Sequence, residues 1–224
     1  FEQIFRCARK TGLVNDDTDL VFVGFGTMNG KDGKPFKTRD GGVLRLERLI
    51  DEINGAVYDR IVQNRQMPED EARQIAATVG LAALKYGDLS NQASKDYVFD
   101  VDRFTSFEGN TGPYILYSIV RIKSVLAKYA DMGGSLDNKK KILPAQNKSE
   151  TDVMLCLVKF TDCIMQAYRE NAPHKICQYI YELSDAFNTF YHENKILACE
   201  DEERKESYIA LLSLVKDILT QCID

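Results

Sequence analysis

The chain has 224 residues, 44% apolar and 28% charged, with a net charge of −5. That length suits one large domain or two modest ones, and the apolar share supports a real core, which excludes a disordered chain. No apolar run approaches the length that spans a bilayer, and the acidic balance argues against a nonspecific nucleic-acid coat, although a selective RNA surface can still be locally basic.

In chain order, residues 1–10 read as a helix. Residues 19–27 (Leu20-Val21-Phe22-Val23-Gly24-Phe25-Gly26 at their centre) read as one short buried strand, apolar and glycine-punctuated. A helical pattern covers 43–64, with Val43, Leu46, Leu49, Ile50, Ile53, Val57 and Ile61 at three- and four-residue spacing. Pro68 opens another helix whose first turn, Glu69-Asp70-Glu71, is acidic where the helix dipole favours it. Residues 87–112 form a polar connector in which Tyr97-Val98-Phe99 suits a short strand. Pro113 starts a helix capped by Asn110 or Thr111, with Ile115, Ile119, Ile122 and Leu126 on its core face and Tyr114, Tyr117, Arg121 and Lys128 opposite. Residues 131–148 are a Gly- and Lys-rich loop. Beyond Ser149 the chain is almost purely helical. One stripe is Val153, Leu157, Phe160, Ile164 and Tyr168; the next, after Pro173, is Ile176, Ile180, Leu183, Phe187 and Phe190; the last is Tyr208, Leu211, Val215, Ile218 and Cys222. Helices with short connections and one apolar stripe each make a bundle. A boundary near residue 110 separates a mixed region from it.

The six cysteines include no C-x-x-C pair, and four lie in apolar helical patterns where a thiol acts as a small hydrophobe, so neither zinc nor disulfides are expected and a reducing cytoplasm fits. His174 and His192 are too few for a metal site, and none is expected. The chain starts at Phe1 inside a helical pattern without the long apolar segment of a signal peptide, and is expected to be a piece of something longer.

The chemistry concentrates in Gly33-Lys34-Pro35-Phe36-Lys37-Thr38-Arg39, between strand and helix. Two lysines three residues apart in a glycine-flanked loop can follow phosphates as charge shifts between them, because lysine is a compact charge on a long stem. The plainer alternative is a solvated basic turn.

Four stretches in order then carry a resemblance across essentially the whole chain. They are Val23-Gly24-Phe25-Gly26 leading into Gly30–Arg39; Lys85-Tyr86-Gly87-Asp88-Leu89-Ser90; Asp96–Asp100 through Ser106–Tyr114; and Tyr179–Leu183 with Phe187–Tyr191. Together they resemble arginyl-tRNA synthetases, class I aminoacyl-tRNA ligases. The resemblance implies a mainly α fold: the end of a class I Rossmann-type catalytic domain, one short strand plus helices, in residues 1–110, then an α-helical anticodon-binding bundle in 111–224. The loop at 30–39 resembles the family's K-M-S-K-S motif, with Lys34 at the first lysine, Lys37 at the second and Thr38 at the final hydroxyl. Pro35 and Phe36 replace the Met-Ser pair. By resemblance these residues are catalytic, Lys37 stabilising charge on ATP as arginine attacks the α-phosphate, and the backbone at Phe25 and Gly26 lies near the adenine. Glycine there permits close approach.

The implied partners are tRNA(Arg), arginine and ATP, with Mg2+ accompanying ATP, in a monomeric cytoplasmic enzyme. Anticodon loops offer splayed bases for aromatic rings to stack on and for amide or guanidinium groups to read. Tyr181, Asn188 and Tyr191 on one helix, with Tyr114, Tyr117 and Arg121 on another, are the expected RNA contacts; the alternative for Tyr114 and Tyr117 is to seal the junction between the two regions. Phe187 and Phe190 belong to packing, His174 to a local hydrogen bond, and Lys139-Lys140-Lys141 to a solvated loop, with an RNA phosphate contact as the alternative for that run. The bundle lacks the D-A-L-R tetrapeptide for which the family domain is named, and no H-I-G-H-type motif occurs anywhere. The chain by itself is therefore expected not to activate arginine. A non-catalytic RNA-binding or partner-binding module derived from the same fold is the competing reading.

Overall fold

The computed structural model describes residues 1–35, 45–64, 66–136 and 141–223. Helices dominate: α1 (Glu2–Lys10), α2 (Leu46–Asn64), α3 (Glu69–Leu89), α4 (Val101–Phe104), α5 (Gly112–Asp131), α6 (Lys148–Val158), α7 (Phe160–Glu170), α8 (Pro173–Glu193) and α9 (Glu202–Ile223). Two short strands, β1 (Met28–Asn29) and β2 (Tyr97–Val98), pair in parallel, Met28 opposite Tyr97.

Local chemistry sets the helix starts. Asp100 caps α4 by accepting from the backbone N–H groups of Asp102 and Arg103. Thr111 caps α5 through Tyr114 N–H, with Pro113 in the first turn, and Asn147 caps α6 through Glu150 N–H. Asn110, the other expected cap, instead lies 2.5 Å from the Tyr86 hydroxyl. At the far end of α7, Asn171 takes the left-handed conformation, φ 49°, that stops the helix.

Two apolar cores form. The smaller gathers Leu49, Ile53 and Val57 of α2, Ala76, Ala83 and Leu84 of α3, and Phe99 with Phe104 of the β2–α4 segment. The larger lies among α5, α6, α8 and α9, around Ile115, Ile122, Leu183, Phe187, Phe190, Leu211 and Leu219. Phe187 and Phe190 are fully enclosed, each contributing about 2 kcal/mol of burial. Tyr86 of α3 joins the larger core: its hydroxyl donates to the Cys177 carbonyl of α8 at 2.7 Å.

The structure corrects the sequence reading in three places. Residues 19–27 are not a buried strand; the ladder begins at Met28, and Val21, Phe22, Val23 and Phe25 are exposed, Phe25 at 87%. A strand needs a neighbour for its backbone groups, and among the described residues the parallel ladder with Tyr97–Val98 takes up Met28 and Asn29, not the apolar run before them. The stripe from Val153 to Tyr168 does not belong to one helix. The chain tightens at Lys159, whose N–H returns to the Cys156 carbonyl, and restarts as α7; Tyr168 is 78% exposed rather than in the core. The short helix α4 went unread inside the polar connector, because four residues give no periodicity.

Candidate nucleic-acid interface

The base of the lysine loop is a tight reversal. Asn29 bridges Pro35, Gly30 N–H donates to the Lys34 carbonyl (2.9 Å) and Gly33 N–H to the Gly30 carbonyl (2.8 Å). Gly33 sits at φ +73°, which a side chain would strain. The Asp32 carboxylate accepts from Lys34 N–H at 3.1 Å. Lys31 is spoken for: its ammonium pairs with Asp102 (2.8 Å) and Asp100 (3.1 Å), which hold its pKa above the usual lysine value. Lys34 is exposed. Lys37 and Thr38 lie outside the described residues. Arg60 of α2 completes the footing by donating to the Thr105 carbonyl at 2.6 Å, with Asp102 4.0 Å away.

Phe25 and Gly26 line an open cavity of about 390 Å³ with Met28, Asp88, Lys95 and Tyr97. Gly26 N–H donates to the Ala93 carbonyl at 2.8 Å, and a Cβ on Gly26 would stand 2.4 Å from the Lys95 carbonyl group. Only glycine lets these backbones meet. Thr27 N–H donates to Asp96 at 2.7 Å and holds that carboxyl below the ordinary aspartate range.

The second site lies where α5 meets the end of α8. Tyr117 and Arg121 stand one turn apart on α5, and Tyr191 and His192 lie at the end of α8. The Arg121 guanidinium carbon lies 4.7 Å from the Tyr117 ring centre and 5.1 Å from that of Tyr191. Arg121 Nη2 donates to the Tyr117 hydroxyl (3.0 Å), Nη1 donates to Asn188 Oδ1 (2.5 Å) and approaches His192 Nε2 (3.5 Å). These groups face an open cavity of about 630 Å³, also lined by Val120, Ser124, Val125, Lys128 and residues 194–198. Among the described residues that line it there is no aspartate or glutamate, whereas arginine, two lysines and a histidine are present. Asn194 holds the loop that closes it, donating to the Ser149 hydroxyl (3.2 Å) and the Phe190 carbonyl (2.8 Å) and accepting from Asn147 (2.8 Å).

Of the six expected RNA contacts, the structure brings Tyr117, Arg121 and Tyr191 to this cavity. Tyr114, Tyr181 and Asn188 are not among its lining residues. The Tyr114 and Tyr181 rings pack 5.7 Å apart, and burial pushes the Tyr114 hydroxyl above its ordinary pKa. Asn188 is 9% exposed, with its amide turned to Arg121, Tyr114 and Ser118. Sequence reasoning missed Lys128, His192 and Lys195 as site residues. Lys128 is two turns from Arg121 on one face and was findable; Lys195 lies past the end of α8, where no period applies. Lys139 and Lys140 are outside the described residues, and Lys148 pairs with Asp152 at 2.5 Å.

Known proteins match this architecture in two pieces. The family description "tRNA synthetases class I (R), catalytic domain" matches residues 1–101, and "DALR anticodon binding domain" matches residues 115–224, without the tetrapeptide itself. These define a class I aminoacyl-tRNA synthetase region: the end of a catalytic domain followed by an anticodon-binding helical domain. The arginine–tRNA ligase of Agathobacter rectalis is 63% identical over the whole chain, and that of Alkaliphilus oremlandii 51%. The chain spans 39% and 38% of those relatives' lengths. Among solved structures, arginyl-tRNA synthetase from Plasmodium falciparum superposes with a TM-score of 0.79 at 26% identity, covering all of this chain and 37% of that one. The Thermus thermophilus arginyl-tRNA synthetase shares the fold, with a TM-score of 0.72 at 21% identity over 89% of this chain and 33% of that one. The chain belongs to the arginyl-tRNA synthetase family.

Proposed function

We propose that this chain serves a monomeric, cytoplasmic arginine–tRNA ligase, supplying the ATP-phosphate loop at residues 30–39 and the anticodon reader at 111–224, joined near residue 110. The parent reaction activates arginine with ATP, which arrives with Mg2+, and passes it to tRNA(Arg), releasing AMP and pyrophosphate. Family membership supports the ATP and tRNA assignments. Two separate cores that meet at Tyr86 support the division, and six free thiols suit a reducing compartment.

The observation that carries the RNA assignment is Arg121, held between two tyrosine rings at a cavity whose described lining residues include cationic but no acidic side chains. A splayed base stacks on a tyrosine face while the guanidinium donates to acceptors on its edge. Lys128 and Lys195 meet the flanking phosphates and fix register. Lys37, together with Lys34 and Thr38, follows the ATP phosphates through electrostatic stabilisation and forms no covalent bond.

The test uses the full-length ligase. Arg121→Ala raises the KM for tRNA(Arg) about 10- to 100-fold and narrows discrimination against an altered anticodon, the scale of one stacking or base-edge contact. Lys195→Ala weakens all tRNAs alike and lowers the salt slope by about 0.7. Lys37→Ala cuts ATP–pyrophosphate exchange about 10²- to 10³-fold. Unchanged tRNA binding in Arg121→Ala sinks the RNA reading, and unchanged exchange in Lys37→Ala sinks the loop assignment.

A further inference from the structure

Asn188 was expected to touch RNA, yet it is 9% exposed and does not line the cavity. Its hydrogen bonds have a direction that the donor chemistry sets. Arg121 can only donate, so the amide oxygen of Asn188 must face it, at 2.5 Å. Both amide hydrogens then point the other way, to the Tyr114 hydroxyl (2.9 Å) and the Ser118 hydroxyl (3.0 Å). Ser118 spends its own proton on the Tyr114 carbonyl at 3.0 Å, so its oxygen is free to accept. The Tyr114 hydroxyl turns its proton toward Asp185 at 3.5 Å. A chain of donors and acceptors thus runs from Asp185 through Tyr114 and Asn188 to Arg121, and every group in it has one consistent role.

We propose that Asn188 is a positioning residue for anticodon recognition: it holds the Arg121 guanidinium between the Tyr117 and Tyr191 rings before RNA arrives. This rests on the reading of the cavity as an RNA site. Arginine carries large rotamer entropy, and a guanidinium already pinned loses less of it on binding. One Nη1–H goes to Asn188 and one Nη2–H to Tyr117, so the head is gripped from two sides while further N–H groups remain for a base edge. Asn188 never meets the RNA; its effect reaches the RNA only through Arg121.

The experiment is a double-substitution cycle in the full-length ligase, reading the KM for tRNA(Arg) and for a transcript with an altered anticodon. Asn188→Leu is expected to raise the KM about tenfold for the authentic tRNA and to narrow the preference between the two tRNAs, as loss of preorganisation dictates. In an Arg121→Ala background the same change is expected to add nothing, because the group it positions is gone. Asn188→Ser, small and polar but too short to reach Arg121, is expected to behave like Asn188→Leu, and it serves if the leucine does not fold. Equal KM increases with and without Arg121 overturn the proposal and make Asn188 a packing residue. A loss in Arg121→Ala with none in either Asn188 variant also overturns it while leaving the RNA reading intact. No loss in Arg121→Ala removes the RNA reading and this proposal together.

Discussion

Glu150 is fully enclosed, and its counter-charge Arg204 is 7% exposed. Their ion pair closes at 3.0 Å, Glu150 also accepts from Gln146 N–H at 2.8 Å, and Arg204 donates to the Pro144 carbonyl at 2.9 Å. The pair therefore straps residues 144–146 to α6 and α9. Desolvating two charges is costly, so the pair adds little net stability, but losing one partner leaves the other buried and uncompensated. Arg204→Met is expected to cost about 3–5 kcal/mol in urea unfolding, and the double variant Glu150→Leu/Arg204→Met to recover most of that. A double variant as unstable as the single one contradicts this account. Nothing in the sequence pairs these two residues, which are 54 positions apart. The expected core stripe of α5 was legible residue by residue, because a period of 3.6 exposes it; a contact between distant helices leaves no such mark.

At the scale of elements, glycines set how closely helices cross. A Cβ on Gly112, at the start of α5, would stand 2.5 Å from the Ala82 carbonyl oxygen of α3, and one on Gly87 would stand 2.4 Å from the Phe104 ring of α4. Backbone cannot give way as a side chain can, so Gly112→Ala is expected to cost about 1–3 kcal/mol by forcing α3 and α5 apart. Thermal unfolding checks this: a Tm within error of wild type rules out the close crossing. Pro113 and the Thr111 cap announced where α5 begins. They gave no hint that the preceding glycine touches another helix, since that depends on where α3 comes to lie. Likewise, the apolar run at 20–25 has strand composition, yet it finds no partner among the described residues and runs exposed. Composition reports a preference for pleated, half-buried surface; pairing requires a neighbour.

Across the whole molecule, burial decides the state of the thiols. Cys177 and Cys222 are pushed up to about 11, with burial as the main cause. The unfolded thiol titrates near 9.0, so the folded protein keeps both protonated where the unfolded chain ionises. A pKa raised on folding gives stability that is intact below pH 9 and lost as pH rises through about 11. Buried Tyr86 and Tyr179, also shifted upward by burial, act in the same direction. The urea midpoint is expected to fall between pH 9 and 11, and exposed Cys7 to be alkylated at pH 8 well before Cys177. Equal alkylation rates refute this.

The sequence by itself determined the long helices α2, α3, α5, α8 and α9, the core stripe of α5 and the family, because these rest on local period, caps and motif order. It also marked the face of α5 that carries Tyr117 and Arg121. Only the tertiary structure decided which polar residues share a site. It turned Asn188 inward behind Arg121 and brought His192 and Lys195 to the same cavity from the end of α8. The physical reason is that a helix face follows from a residue's place in its own turn, whereas a hydrogen-bond partner or a cavity wall depends on how separate helices pack.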